Sequence, residues 1–255
     1  MKIASLACAA LAALSIAQTA SAAVFFTATN GTNLTASATF DIVGGKLQVV
    51  LNNSSAFDVL VPSNVLTALF FNLSGGASQL GVAGGSATSN GPTFMNGAQV
   101  NIAGTNVGGE WAYAGVSSVI LGAGTNAGIS SSGFGLFGNA NLNGPDLAGP
   151  PGGAVDGLQY GITSTGDNLA TGNGGVMGNE ITKHSVIFLL NFAAGFTLAQ
   201  ISNVSFQYGT DLIDPRNTCT VNCGGPPANE IPEPGSAALA GLALLAAASV
   251  RRRKQ

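Results

Sequence analysis

Apolar and polar positions alternate in short runs at the two ends of the central chain, and those runs predict strands. Val24–Thr29 (VFFTAT) opens the series. Ala36–Val43 (ASATFDIV) and Lys46–Leu51 (KLQVVL) flank Gly44-Gly45. Two β-rich runs around a two-residue glycine turn predict a hairpin. Phe57–Val61 is expected as a short strand ended by Pro62, and Val65–Leu73 (VLTALFFNL) as a strongly apolar one ended by Gly75-Gly76. The pattern returns at His184–Phe192 (HSVIFLLNF) and at Ile201–Thr210, where Val204, Phe206 and Tyr208 fall on one face. Between Ser74 and Met177 glycines recur every few residues, with short apolar groups among them at Val100–Ala103, Glu110–Ala114, Val116–Leu121 and Phe134–Phe137. Trp111, Tyr113, Phe134, Phe137 and Tyr160 give this stretch anchors that disordered chains usually lack. No stretch of the body carries a 3.6-residue stripe over eleven or more positions. The expected fold class is therefore all-β: an antiparallel β-sandwich-like domain over residues 24–213 with long Gly/Asn-rich loops.

The two ends break this pattern. Lys2 precedes an apolar run, Ile3–Ala17, and then small residues, Gln18–Ala23. This is the order of a signal peptide, expected at 1–23, with cleavage after Ala22 or Ala23 and export as the consequence. At the other end Gly235–Val250 is apolar and uncharged, and Arg251, Arg252, Arg253 and Lys254 follow. As a helix that run would reach about 24 Å, marginal for a hydrocarbon layer of about 30 Å. A single C-terminal transmembrane helix is expected there, with the bases on the cytoplasmic side.

Charge narrows the functions. Only 7% of the chain is Asp, Glu, Lys or Arg, against roughly 25% in ordinary soluble domains. Between the two ends Lys46, Lys183 and Arg216 stand against all 11 Asp and Glu, a net of about −8. Nucleic acid, which needs clustered bases on one face, is not an expected partner.

Residues 214–231 form an expected linker that holds Cys219 and Cys223. In an oxidising compartment two cysteines so near in sequence can pair; free or intermolecular thiols and a metal are the other readings. The spacing lacks the second ligand pair of a structural zinc site.

Catalytic signals are sparse. The chain has 1 histidine, His184, no G-x-S-x-G elbow and no phosphate-binding glycine loop. No cofactor and no metal is expected. Glu110 beside Trp111 is an acid next to an indole, a pair that suits a sugar-binding surface and equally a strand edge beside a core Trp. Asp156 and Asp167, in glycine-rich loops, are the other candidate ligand-binding acids, and with Asn168 they offer oxygens of the type that hold Ca²⁺. Glu110, Asp156, Asp167 and Glu180 are the candidate carboxylates of a polysaccharide hydrolase, with Glu110 and one of the loop aspartates as its acid pair.

The closing segment resembles the PEP-CTERM sorting signal of Gram-negative bacteria. The resemblance rests on Pro232, Glu233 and Pro234, the apolar run Gly235–Val250 and the cluster Arg251–Lys254. It implies a sorting segment at 232–255. It also implies export machinery and signal peptidase as partners, a membrane-embedded exosortase that processes the tail, and transient inner-membrane anchoring. The destination implied is the cell surface or extracellular matrix. Each proline fixes its own φ and restricts its predecessor, which gives the processing enzyme an extended segment to read. The expected function is that of an exported structural or adhesive protein of a biofilm matrix, associated with exopolysaccharide, and a substrate of a processing enzyme rather than an enzyme. The alternatives are a secreted polysaccharide hydrolase and a calcium-stabilised carbohydrate-binding module.

Overall fold

The computed structural model describes residues 23–29, 33–117, 121, 124–137, 146–150, 155–220 and 223. The expected signal peptide up to residue 22 and the sorting segment at 232–255 lie outside the described residues.

Two sheets carry the fold. Strands β1 (Val24–Thr29), β2 (Thr35–Val43) and β3 (Lys46–Asn53) run as a meander. Gly44 and Gly45 at φ 58° and 76° make the β2–β3 turn, the conformation a two-residue hairpin demands and glycine supplies without strain. β3 alternates strictly, with Leu47, Val49, Leu51 and Asn53 buried. β4 (Leu66–Leu73) is buried along nearly its whole length. β5 (Leu80–Ser89), β6 (Thr93–Met95) and β7 (Ala98–Asn101) follow. The glycine-rich middle then adds β8 (Ala112–Gly115), β9 (Ala127–Ser130), β10 (Ile162–Thr163), a one-turn helix α1 (Gly174–Met177) and β11 (Ile181–Lys183). β12 (Ser185–Phe192), β13 (Ile201–Tyr208) and β14 (Arg216–Thr218) end the series.

The first sheet is antiparallel in the order β1-β2-β3-β12-β5. The second runs β14-β13-β4-β10-β11-β6-β7, with β9 paired to β4 and β8 to β9. The sheets meet over a shared core. Phe40 of the first and Phe71 of the second are in edge contact at 5.5 Å, Phe26 meets Phe40 at 5.6 Å, and Trp111 meets Phe188 at 4.9 Å. Val204, Phe206 and Tyr208, assigned above to one face, all enter this core. Each fully buried side chain of this size is worth about 1.5–3 kcal/mol.

This architecture corrects the antiparallel sandwich. The domain is β-rich and largely antiparallel, but it is not a closed sandwich. The second sheet branches at β4, whose backbone pairs with β13, with β9 through Ala68–Phe71, and with β10 through Leu66. It contains a parallel pair, β10 with β11. It also carries a further apolar layer: Ala68 and Phe70, on the other face of β4 from Leu69 and Phe71, pack with Leu121, Phe137 and Val155 from the glycine-rich segments. The expected transmembrane helix is the second correction. Among the described residues no helix is long and apolar enough to cross a membrane, and 235–250 lie outside those residues. Two smaller differences concern local segments. Phe57–Val61 is not a strand, because Asp58 turns it toward the loop at 168–171. Arg216–Thr218, inside the expected linker, is β14 on the edge of β13.

Candidate functional site

Of the acids singled out in the sequence, Glu110 feels the charge of Asp156, and Asp167 lies in separate surroundings. Glu110 closes a 3-10 turn, Gly108–Glu110, that leads into Trp111 and β8. The turn forms because the Glu110 and Trp111 N–H groups donate to the carbonyls of Val107 and Gly108, at 3.2 and 3.1 Å. This draws Glu110 inward until 8% of it is exposed, and its Oε2 has no hydrogen-bond partner. Loss of water pushes its carboxyl up to about 7, and the nearby charges of Asp156, Asp146 and Glu180 push the same way. The fold thus gathers four acids into one electrostatic neighbourhood that the sequence left scattered.

Asp146 is held by a backbone bridge to Ala112 and by the adjoining Leu147 N–H, which donates to the Trp111 carbonyl at 2.8 Å. Its Oδ1 is buried without a partner, and burial raises its carboxyl. Glu180 is the satisfied member. Its Oε1 accepts from Thr93 and from Asn101 Nδ2 (2.7 Å), and its Oε2 from the Tyr160 hydroxyl at 2.8 Å. Burial, then the Glu180 acceptor, raises the Tyr160 phenol above its ordinary range.

Trp111 has no exposed surface; its ring stands edge-on to Phe188 within the core. It offers no indole face to a ligand in this structure. Asp156 is exposed and lines an open cleft beside Phe134 and Asp211. Glu110 is not among the residues that line that cleft. Asp167 belongs elsewhere. It is 5% exposed, its Oδ1 accepts the Val59 N–H at 2.9 Å, and its carboxyl adjoins that of Asp58. Burial is the main cause that raises Asp167 to about 6, with the adjoining Asp58 acting in the same direction. Asp58 is lowered, chiefly by the Thr171 hydroxyl at 2.6 Å. Through these bonds Asp58 and Asp167 clamp residues 57–59 to 167–171.

Chemically, Glu110 is an acid that keeps its proton to near neutral pH, the property of a proton donor. The base of a Ser nucleophile would have to be His184, which is exposed at φ 80° with its Nδ1 3.0 Å from Ser185 Oγ. Among the described residues no three His, Cys, Asp or Glu side chains are grouped to hold a metal ion. Cys219 and Cys223 are joined as a disulfide with their Cα atoms 5.5 Å apart, and Cys219 N–H donates to the Val204 carbonyl at 2.8 Å, which ties the loop to β13.

Sequence reasoning missed Asp146 and Asp211; it took Phe134 and Tyr160 only as aromatic anchors and Glu180 only as a candidate carboxylate, without their partners here. Their partners come from strands and loops far apart in the chain, and no local pattern marks them. Asp211 has one signal, the TDLIDP turn that Asp214 organises by accepting the N–H groups of Thr210 and Asp211.

No curated protein and no solved structure matches the chain. Residues 230–254 match the family model for the PEP-CTERM protein-sorting motif. The chain carries a C-terminal PEP-CTERM motif typical of exosortase-processed surface proteins, a surface-sorting signal consistent with export and surface display.

Proposed function

We infer that the protein is an exported structural or adhesive component of the cell surface or extracellular matrix of a Gram-negative bacterium, associated with exopolysaccharide. The carrying observation is the match of residues 230–254 to the sorting motif. On this reading an exosortase-type enzyme of the inner membrane recognises Pro232, Glu233 and Pro234. The bases Arg251, Arg252 and Arg253 hold the tail at the membrane face until the body is released or attached. The Cys219–Cys223 disulfide stiffens the approach to the cut site. The body then serves as a passive module. Its low charge and its many Asn, Ser and Thr side chains offer neutral hydrogen-bonding groups, a surface suited to a hydrated polysaccharide.

The test is to replace Pro232, Glu233 and Pro234 together by Ala in the full chain and fractionate the native host. The expected result is that the wild-type protein is found in the surface and matrix fraction and the variant accumulates in the cell at full length. Equal recovery of both in the matrix fraction would refute the reading.

A further inference from the structure

An open cleft lies where the loop after β9 meets the loop after β13. Its described walls include Ser132, Phe134, Asp156, Thr210, Asp211 and Leu212, and its volume is about 300 Å³. That is the small end of the range for ligand sites, roughly 300–1,000 Å³, the scale of one or two sugar rings.

The walls are held in place for a ligand of this kind. Phe134 sits at φ 50°, followed by Gly135 at φ 71°. A bulky side chain in the left-handed region costs about 1–3 kcal/mol and persists only where its surroundings impose it. Here the Phe134 ring rests against core Phe70 at 6.1 Å and 60°. The residue stays partly exposed at the cleft, so an aromatic surface is pinned there on a rigid support. The opposite wall is equally fixed. The Asp214 carboxylate accepts the N–H groups of Thr210 and Asp211 at 3.1 and 3.0 Å. The buried Gln207 amide donates to the Asp211 carbonyl at 3.1 Å. Asp156 and Asp211 are both exposed. A carboxylate can only accept hydrogen bonds, and the described walls hold no Lys or Arg.

An aromatic surface with two acceptor carboxylates and a hydroxyl suits a ring with one apolar face and a rim of hydroxyl donors. It repels an acidic sugar, because like charges set together cost several kcal/mol. We propose that this cleft binds a neutral pyranose of an extracellular glycan, its apolar face on Phe134 and its hydroxyls donating to Asp156 and Asp211. The assignment rests on the matrix-associated reading above and gives it a contact point.

Saturation-transfer NMR and calorimetry on the mature secreted protein test it, with cellobiose, lactose and mannobiose as neutral probes and glucosamine and glucuronate as charged ones. At least one neutral disaccharide binds in the millimolar range and glucuronate does not. Phe134→Gly removes the ring and suits the left-handed backbone, and it weakens binding at least tenfold. The doubly substituted Asp156→Asn, Asp211→Asn protein, which keeps the shape of both side chains, does the same. Unchanged melting curves show that both variants are folded. Binding of glucuronate or glucosamine in preference to every neutral probe overturns the proposal, and so does a Phe134→Gly protein that binds as wild type does. Matrix fractionation of the same wild-type protein separates the two readings. A protein found in the matrix that binds no neutral sugar removes the cleft and leaves the matrix role. A protein absent from the matrix that binds the sugar through Phe134 does the reverse.

Discussion

Glu110 is buried with one oxygen unpartnered and three other acids nearby, so replacing it by Gln changes how stability depends on pH. The folded carboxyl titrates at about 7 against an ordinary value of 4.5. Between those values the folded chain keeps a proton that the unfolded chain has lost. Stability therefore falls as pH rises, by about 1.4 kcal/mol per unit while this difference lasts. Below pH 4.5 both states hold the proton and there is no cost; above 7 neither does and the full cost is present. The ceiling is about 3 kcal/mol. The small exposed fraction of Glu110 admits some solvent, so we expect a loss of about 2–3 kcal/mol between pH 5 and 8. Glu110→Gln is neutral throughout. The assay is urea unfolding of both proteins at half-unit steps of pH. Acids that do not interact with Glu110, such as Asp167, are common to both and cancel in the difference. The variant gains about 2–3 kcal/mol on wild type from pH 5 to pH 8. A difference that stays flat over that range would refute the placement of Glu110 as a desolvated acid.

Other sites give sharp expectations. Gly128 lies on β9 where a Cβ would come within 2.6 Å of the Phe70 ring and 3.0 Å of Phe137. Gly128→Ala therefore overpacks the outer layer and lowers stability by about 1–3 kcal/mol, read as a shift of the urea midpoint; an unchanged midpoint would mean that Phe70 moves freely. Reduction of the Cys219–Cys223 disulfide, or Cys223→Ser, opens a very short loop and lowers stability by about 1–2 kcal/mol, measured by melting with and without reductant. EDTA leaves the melting temperature unchanged, since no three candidate ligands converge among the described residues; a drop that added Ca²⁺ restores would revive the calcium-stabilised module.

The strands with strong alternation were legible from the pattern. β3 reads as a half-buried strand because its odd positions, Leu47, Val49 and Leu51, are all apolar. The hairpin turn was legible because Gly44-Gly45 meets a backbone requirement that few other residues meet. The partners were not legible. β4 is apolar on both faces, which announces burial but does not say that one face meets Phe40 and the other Phe137. The glycine-rich middle concealed β5, β9 and β10, because glycine has low strand propensity. Gly85 and Gly128 stand in strands where close packing leaves no room for a Cβ. The acids show the same division. The sequence picked out Glu110 and Trp111 as neighbours, but whether an indole faces water or core depends on the strand's partner, and here Phe188 takes it inside. The sorting motif was legible in full, since it is a linear signal whose order of elements is its information.

The most direct test of the account is the intact mass of the protein recovered from the surface and medium of the native host. The account predicts a chain that has lost its first 22 or 23 residues and ends close to Pro232–Pro234. A surface form that still carries Arg251, Arg252, Arg253 and Lys254 would contradict it.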